Sequence, residues 1–464
     1  MDVIKKVFNL LSHNATYYQK AAHRPVLDEK PELPEEELPE TIDFNDEFKS
    51  AFEAMENTSD YVFITGKAGT GKSTLLRYFQ ANTKKKVVVL APTGVASINV
   101  GGQTIHSFFK FPPRLIQKDI IRRRRNGAII EKLDAVIIDE ISMVRADLMD
   151  GIDYALRINR DEMSKPFGGA QIILFGDLFQ LPPVVEREAK EIIEEKYPSP
   201  YFFSAKVFEK INIRYIELTK IYRQTDGQFV DVLNRLRSKE HTEEDFDILN
   251  SRVQKNIDMS MGKTVILTTT NNLASSINMD RLVKLPTKEF SYEAAIFGEF
   301  DESAYPTDLK LRLKKDAQVI LIKNDPGKRW VNGTIAKVSS LSNDFIKVDI
   351  DGKICDVPKI KWQKIEYVYN KEKDKIEENV IGTFEQYPLK LAWAITIHKS
   401  QGQTFNKVII DLGDGAFTHG QVYVALSRCT TMEGITLRKP VIESDIIFDR
   451  RIHEFKNRCV RQEN

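Results

Sequence analysis

Residues 66–73, GKAGTGKS, restrict the fold of this chain more than any other feature. They fit the pattern G-x-x-x-x-G-K-[ST], they follow a β-branched run at 61–66, and they precede a helix-forming stretch at 74–82. The glycines let backbone N–H groups approach phosphate oxygens, and the helix N-terminus adds the positive end of its dipole. We therefore predict a parallel sheet with a phosphate-binding loop after one of its strands.

Two side chains of this loop have distinct tasks. Lys72 would place its charge on the β- and γ-phosphates, and Ser73 would offer its hydroxyl to Mg²⁺. The predicted ligands are therefore ATP and Mg²⁺, and the alternative is a glycine-rich turn that binds no nucleotide. The predicted nucleotide contacts are Gly66, Lys67, Ala68, Gly69, Thr70, Gly71, Lys72, Ser73 and Thr74.

Further short apolar runs, each ending near Gly, Thr, Asp or Asn, extend this pattern along the chain. Runs that are apolar on both faces and separated by helix-length segments are typical of parallel strands under helices. Such sheets bind ligands at the carboxyl ends of their strands. The fold class is therefore α/β, with a second strand set that starts at 215. The runs lie at 87–93, 135–140, 172–177, 215–219, 264–271 and 407–413.

Polar residues follow two of these runs. Asp139 would bind Mg²⁺ through water, and Glu140 would be the general base for the attacking water. The alternative is that Glu140 caps the next helix. Gln180 can donate to a γ-phosphate and accept from water, which suits a sensor of hydrolysis, although a surface glutamine is the alternative.

Two arginines could complete an ATP site. Arg223 follows the run at 215–219, and Arg428 follows an apolar helical stretch. A guanidinium brought to the γ-phosphate from another domain stabilises transition-state charge and makes hydrolysis depend on domain closure. From the residues alone, a solvated surface position is the alternative for both.

The segments outside these strand sets differ in character. Residues 1–24 approximate the spacing of a short amphipathic helix, and residues 25–41 combine four prolines with an acidic excess. We therefore predict an N-terminal segment and flexible linker over 1–42. Residues 309–365 show short alternating strands, with a type I′ hairpin signal at Asn332-Gly333, and predict a small antiparallel barrel inserted into the second unit.

Composition narrows the class of protein. Lys and Arg total 68 against 67 Asp and Glu, so any basic surface for nucleic acid must be local. No apolar run reaches the roughly 18 residues that a membrane span needs. Three separated cysteines form no zinc-binding pattern and fit a reducing interior. We expect a cytoplasmic protein without a membrane partner.

Seven segments, in order, resemble the motifs of superfamily-one helicases. The resemblance is specifically to bacterial-like Pif-type (petite integration frequency) 5′-to-3′ DNA helicases, which are related to RecD-like helicases, and it covers about residues 44–445. The stretches at 101–107 and 393–402 are the most specific. The segments are GKAGTGKST, APTGVASINVGGQTIHSFF, VIIDEISMV, FGDLFQLPPV, ELTKIYRQ, AWAITIHKSQGQTF and QVYVALSRC.

The resemblance implies two tandem RecA-like P-loop domains with parallel sheets, a small wedge element and an inserted SH3-like β-barrel. The first domain would span 43–213, with the wedge at about 108–132. The second would span 214–308 and 381–464, the latter including a C-terminal helix. The barrel would occupy 309–380.

The resemblance also assigns roles in the ATP site. Ser73 and Asp139 would hold the metal, and Gly402 would approach the γ-phosphate through its backbone. Arg223 and Arg428 would be arginine fingers from the second domain. The implied catalytic residues are Lys72, Asp139, Glu140, Gln180, Arg223 and Arg428.

Single-stranded DNA would cross the tops of both domains. Small hydroxyls, backbone amides and one lysine suit sequence-independent phosphate contacts. A buried core histidine is the alternative for His106, and a solvated side chain is the alternative for Lys399. The implied contacts are Thr93, Gly94, His106 and Ser107 in the first domain, and Thr396, His398 and Lys399 in the second.

Two features need separate interpretation. The four arginines at 122–125 lie in the wedge interval and would suit phosphates of a displaced strand, although a solvated helix face is the alternative. The family usually has a Gln upstream of the phosphate loop that reads adenine. Residues 44–55 contain no Gln, and Phe48 stands roughly in its place, so stacking or backbone contacts would have to recognise the base.

The implied activity is ATP-driven 5′-to-3′ translocation on single-stranded DNA by a monomer, or by a dimer on DNA, at the bacterial nucleoid. Single-strand–duplex junctions, DNA–RNA hybrids and G-quadruplexes are the implied substrates, in DNA repair, recombination or replication. The alternatives are an RNA helicase and an ATP-gated clamp that binds single strands without unwinding. Autoinhibition by the acidic linker is a further hypothesis.

Overall fold

The computed structural model describes residues 45–112, 114–124, 127–185, 187–222, 226–254, 264–370, 372–373 and 375–463. The predictions for residues 1–42, including autoinhibition by the linker, and the prediction for Arg223 lie outside these ranges. Within the described ranges, no helix combines the length and the apolar character that a membrane span requires.

A parallel six-stranded sheet organises the first unit, in the order β3-β2-β4-β5-β1-β6. Its central strands β4 and β5 are buried along their whole length, as their runs of apolar residues predict. The strands are β1 Tyr61–Gly66, β2 Val87–Ala91, β3 Gln103–Thr104, β4 Ala135–Ile138, β5 Gln171–Phe175 and β6 Ile213–Leu218.

Helices cover both faces of this sheet and create two cores. Val62 and Ile64 pack with the first two helices, whereas Phe63 faces the opposite core. Asn45 caps the first helix by accepting a hydrogen bond from the backbone N of Phe48 at 2.9 Å. The helices are α1 Asp46–Asn57, α2 Lys72–Asn82, α3 Gly94–Asn99, α4 Ile105–Phe109, α5 Ala128–Lys132, α6 Ala146–Asn159 and α7 Arg187–Lys196.

The second half of the chain contains a parallel sheet and an antiparallel insertion. Its helices are α8 Gly227–Ser238, α9 Glu243–Asn250, α10 Asn271–Lys284, α11 Gln421–Leu426 and α12 Arg450–Glu463. Its strands are β7 Val265–Thr268, β8 Glu289–Glu293, β9 Ala295–Gly298, β10 Lys310–Lys314, β11 Gln318–Leu321, β12 Ile335–Leu341, β13 Ile346–Ile350, β14 Lys353–Val357, β15 Ile360–Asn370, β16 Lys375–Gln386, β17 Leu389–Leu391, β18 Ala394–Thr396, β19 Val408–Asp411 and β20 Ile435–Leu437.

The second unit is built on the parallel sheet β18-β7-β19-β20. Helix α8 packs against α11, and α9 leads to Val253, which bridges Leu437 of β20. Two α/β units with parallel sheets are therefore present, as predicted.

The insertion between β7 and β18 is antiparallel, as predicted, but it is wider than 309–380. Strand β8 pairs with β10, and β9 pairs with β16, so the insertion spans 289–391. These pairings belong to two separate sheets, and a third sheet of the insertion has the order β14-β13-β12-β11-β17. The turn at 331–334 has a positive φ at Gly333 but not at Asn332, so the type I′ prediction is wrong.

Two further boundaries need correction. Strand β6 pairs with β1 from residue 213 to 218 and completes the first sheet, so the run at 215–219 does not open the second unit. Helix α12 follows the second sheet in the chain but packs on the first unit, where the Phe455 ring stacks on Phe203 with centroids 4.6 Å apart. The predicted boundary at 213/214 and the grouping of 381–464 into one domain are therefore wrong.

Candidate functional site

A cleft with a cavity volume of about 1800 Å³ lies between the two units and the insertion. It runs along the carboxyl ends of the first sheet, where parallel sheets bind ligands. Predicted ATP-site residues from both units meet there. They include Lys72, Ser73, Asp139, Glu140, Gln180, Gly402 and Arg428.

In this structure the lysine of the phosphate loop forms hydrogen bonds with the loop's own backbone. Gly71 has a φ of 86°, and a Cβ at this position would lie 2.9 Å from the Phe48 ring. The Lys72 Nζ donates to the carbonyl oxygens of Gly66 at 2.7 Å and Lys67 at 2.9 Å. Burial lowers the pKa of Lys72. A bound phosphate would offer this ammonium group a partner of opposite charge in place of two neutral carbonyls.

The two carboxylates after β4 are half-buried and line the cleft. Glu140 adopts the left-handed conformation with φ 50°, and its side chain forms no capping hydrogen bond, so the helix-cap alternative is wrong. Burial, followed by the charge of Asp139, raises the pKa of Glu140 to about 7. Burial also raises the pKa of Asp139. A carboxylate with a pKa near neutrality suits a general base.

The same surroundings fit Mg²⁺. Ser73 and Asp139 offer the hard oxygen atoms that this ion prefers, and both line the cleft. Burial is the main cause that raises the pKa values of Asp139 and Glu140, and the charge of Asp139 adds to it at Glu140. A divalent cation would add positive charge beside both carboxyl groups.

Gln180 of the first unit and Arg428 and Gly402 of the second line the cleft between the two units. The Gln180 Nε2 lies 3.4 Å from Asp177 Oδ2, and its Oε1 lies 3.5 Å from the Nε2 of Gln401 in the second unit. Arg428 is 1% exposed, and its charge acts on the pKa of Glu140. Gly402 has a φ of 77° and open space beside its Cα, so its backbone faces the cleft.

The predicted DNA contacts divide into two groups. Thr93, His398 and Lys399 line the cleft. Thr396 is buried beneath them and accepts a hydrogen bond from the Lys399 backbone N at 3.2 Å. Gly94 packs against the insertion, because a Cβ there would lie 2.5 Å from the Cβ of Ala304.

His106 and Ser107 do not line the cleft among the described residues. Ser107 Oγ accepts a hydrogen bond from Gln103 Nε2 at 2.9 Å. The Nδ1 of His106 is buried without a hydrogen-bond partner in the described structure, and burial lowers the pKa of this imidazole. This position agrees better with the core-histidine alternative than with a DNA contact.

The arginine run at 122–124 lies outside any helix and bonds to the first unit. Arg123 forms a bidentate pair with Asp161, with both N–O distances at 2.6 Å. Arg124 Nη1 donates to the Phe108 carbonyl at 2.8 Å. The helical part of the solvated-helix alternative is therefore wrong, but Arg122 and Arg123 are exposed to solvent as that alternative expected. The guanidinium groups of Arg123 and Arg124 already have partners within the protein.

Sequence reasoning missed four residues of the cleft and its border, namely Tyr222, Tyr423, Arg237 and Asp177. Tyr222 is 47% exposed beside Gly71, and its backbone N donates to the Gly69 carbonyl at 2.9 Å. Tyr423 accepts a hydrogen bond from the phosphate-loop backbone at Ala68, and Arg237 pairs with Asp177. The two tyrosines and Asp177 lie in or beside recognised motifs, so they had a positional signal; Arg237 had none.

Comparisons with known proteins agree with this architecture. The PIF1-like helicase model matches residues 43–248. A Bdellovibrio bacteriovorus protein named ATP-dependent DNA helicase Pif1 is 33% identical over 427 residues, which cover 89% of this chain and 92% of the relative.

Two solved structures of Bacteroides Pif1 are also similar. The complex with ADP-AlF4 is 37% identical, with a TM-score of 0.83, and the match covers 90% of this chain and 97% of that one. The structure bound to ssDNA is 37% identical, with a TM-score of 0.67, and the match covers 91% of this chain and 99% of that one. The predicted family is confirmed, and the chain belongs to the PIF1-like helicases.

Proposed function

We propose that this protein is an ATP-dependent DNA helicase that moves 5′ to 3′ on single-stranded DNA and unwinds duplexes. One observation carries the proposal: the phosphate loop, Glu140, Arg428 and Lys399 line the same cleft between two units. A change at the γ-phosphate can therefore alter the separation of the units that would hold the strand. The names of the relatives support the activity.

Hydrolysis follows from the side chains of the cleft. Lys72 exchanges two loop carbonyls for phosphate oxygens, and Glu140 accepts a proton from the attacking water. Arg428, with Arg223 as the second finger, approaches the γ-phosphate from the second unit and stabilises its developing charge. When bound by Ser73 and Asp139, Mg²⁺ would neutralise charge on the phosphate oxygens.

Adenine recognition is assigned to Tyr222. Phe48 is buried beneath Gly71, whereas Tyr222 is 47% exposed next to the same glycine, with the Lys220 Nζ 5.3 Å from its ring centroid. Aromatic rings bind bases by stacking, without a particular hydrogen-bond pattern. Stacking on Tyr222 would therefore replace the missing upstream glutamine.

The DNA path follows Thr93, His398 and Lys399 through the cleft. In this structure Ala304 of the insertion packs against the Cα of Gly94, so a phosphate bound at this segment would lie next to the insertion. We propose that the insertion, as an SH3-like clamp, closes over the bound strand. Forked duplexes, DNA–RNA hybrids and G-quadruplexes are its proposed substrates.

Strand separation with ATP and Mg²⁺ tests the function on two partial duplexes, one with a 5′ tail and one with a 3′ tail. We expect unwinding of the 5′-tailed substrate only, and loss of unwinding in Glu140→Gln. DNA-stimulated hydrolysis without unwinding would support the clamp instead. Stimulation by RNA but not DNA would support an RNA helicase, and unwinding from the 3′ tail alone would overturn the direction.

A further inference from the structure

Helix α8 of the second unit places one arginine against the ATP site of the first. Arg237 is 7% exposed, and its Nη2 donates to Asp177 Oδ1 at 2.9 Å. Its guanidinium carbon lies 3.9 Å from the centroid of the Phe179 ring. Asp177 and Phe179 belong to the loop that carries Gln180. The ion pair with Asp177 and the stacking on Phe179 together fix the orientation of the Arg237 guanidinium. The same two contacts hold the loop that carries Gln180 in place.

Asp177 joins this arginine to two parts of the ATP site. Its Oδ2 lies 3.4 Å from Gln180 Nε2 and 3.5 Å from the Tyr423 hydroxyl. That hydroxyl accepts a hydrogen bond from the Ala68 backbone N at 3.3 Å. Two contacts therefore connect Arg237 with the predicted γ-phosphate sensor, and three connect it with the phosphate loop.

The charge balance around Asp177 agrees with this contact. Although burial alone would raise the pKa of Asp177, the charges of Arg237 and Lys72 hold it below its ordinary value. The carboxylate is therefore ionised, with two cations nearby.

We propose that Arg237 is a positioning residue for ATP hydrolysis, which acts through Asp177 to orient Gln180. The proposal rests on the proposed function, because it assumes that this cleft hydrolyses ATP. Arg237 belongs to the second unit and Asp177 to the first, so the pair also makes the sensor depend on how the two units are arranged.

The test compares two arginines of the same helix. Arg235 also pairs with an aspartate, Asp245, with its Nε 2.9 Å from Oδ2, but that pair lies within the second unit. We expect Arg237→Met to lower the kcat of DNA-stimulated hydrolysis about 10- to 100-fold, the loss that a small misplacement of a catalytic group produces. Arg235→Met should retain the wild-type kcat. Arg237→Lys should recover part of the loss, because it restores the charge without the planar fork.

A double-mutant cycle separates positioning from a general effect on folding. If Arg237 acts through Asp177, Arg237→Met should change kcat less than about twofold in an Asp177→Asn background. Melting temperatures and ATP Kd values establish that each variant is folded. If Arg237→Met does not fold, Arg237→Lys replaces it in the cycle with Asp177→Asn, and the same comparison of kcat values tests the proposal.

Two results would overturn the proposal: fully additive losses in the cycle, or an Arg237→Met kcat equal to that of Arg235→Met. Either result, with an active wild-type enzyme, would contradict this inference alone. A wild-type protein that hydrolyses no ATP in the presence of DNA would contradict the proposed function as well.

Discussion

The Tyr423 hydroxyl, from helix α11 of the second unit, accepts a hydrogen bond from the backbone N of Ala68 in the phosphate loop at 3.3 Å. This N–H belongs to the group of loop amides that would bind phosphate. A bound nucleotide would therefore compete with the Tyr423 hydroxyl for the hydrogen bond from the Ala68 N–H. The contact connects the second unit directly with the occupancy of the ATP site.

Tyr423→Phe removes this competitor while it keeps the ring. The substitution leaves the Ala68 N–H without a partner in the nucleotide-free protein, whereas the nucleotide-bound protein is unaffected. A net hydrogen-bond contribution of about 0.5–1.5 kcal/mol predicts that the Kd for ATP falls about two- to tenfold. Titration with a fluorescent ATP analogue in the absence of DNA measures this change. Weaker binding would show that the hydroxyl supports the loop.

Tyr222→Ala should weaken ATP binding through loss of the proposed stacking. Base–aromatic stacking contributes about 1–3 kcal/mol, which predicts a KM for ATP raised about 5- to 100-fold. Tyr222→Phe is the matched control and should retain the wild-type KM, because it keeps the ring. Equal effects of the two substitutions would show that the phenol oxygen, and not the ring face, matters.

Lys399→Ala should weaken single-stranded DNA binding to the same extent for all sequences. The loss of one phosphate contact should reduce the slope of log K against log salt by about 0.7. Fluorescence anisotropy over a salt series measures the slope. Lys284, which pairs with Asp280 at 2.7 Å on helix α10, provides the control, and Lys284→Ala should leave the slope unchanged. An unaltered slope in Lys399→Ala would place the DNA elsewhere.

Phe455→Ala should destabilise the protein although it lies near the chain end. The ring packs against Phe203, Phe202 and Phe63 of the first unit. Truncation of a buried phenylalanine costs about 3–5 kcal/mol, which urea denaturation would measure. Val460 lies on the same helix but is 40% exposed, so Val460→Ala should change the free energy of unfolding by less than about 0.5 kcal/mol.

Glu378 should make stability depend on pH. Burial raises the pKa of this cleft-lining carboxyl from 4.5 to about 7. The folded protein then binds more protons than the unfolded chain between these two values, so the free energy of unfolding falls as pH rises from 4.5 to 7 and levels off above that. The loss is up to about 3 kcal/mol.

Glu378→Gln removes this dependence while it keeps the size of the side chain. We expect the variant to melt at a higher temperature than the wild type at about pH 8, with a smaller difference at about pH 5. Differential scanning calorimetry at several pH values checks both. A difference between the two proteins that is constant with pH would mean that the Glu378 carboxyl is not the titrating group.

Local patterns account for the parts of the site that could be predicted. The phosphate loop lies within one strand–loop–helix segment, and Asp139 and Glu140 directly follow a strand that is apolar on both faces. Such features depend on neighbouring residues in the chain. The same holds for Arg428 and Gly402, which lie in short motifs with a characteristic order.

Long-range pairing accounts for most errors. The run at 215–219 reads as a strand, but nothing in its composition specifies that its partner is β1 instead of β7. His106 looks polar in sequence, yet it does not line the cleft, and its Nδ1 is buried without a hydrogen-bond partner among the described residues. Arg237 lies in an amphipathic helix, and only the approach of the two units gives it a partner in Asp177.

The packing of helix α12 on the first unit has a mechanical consequence. The chain passes from the first unit to the second after β6 and returns before α12, so two separate covalent connections join the units. A body attached to another at two points rotates most easily about the line through them. Opening and closing of the cleft should therefore follow one axis, and each ATP turnover should repeat the same arc without sideways drift of the units.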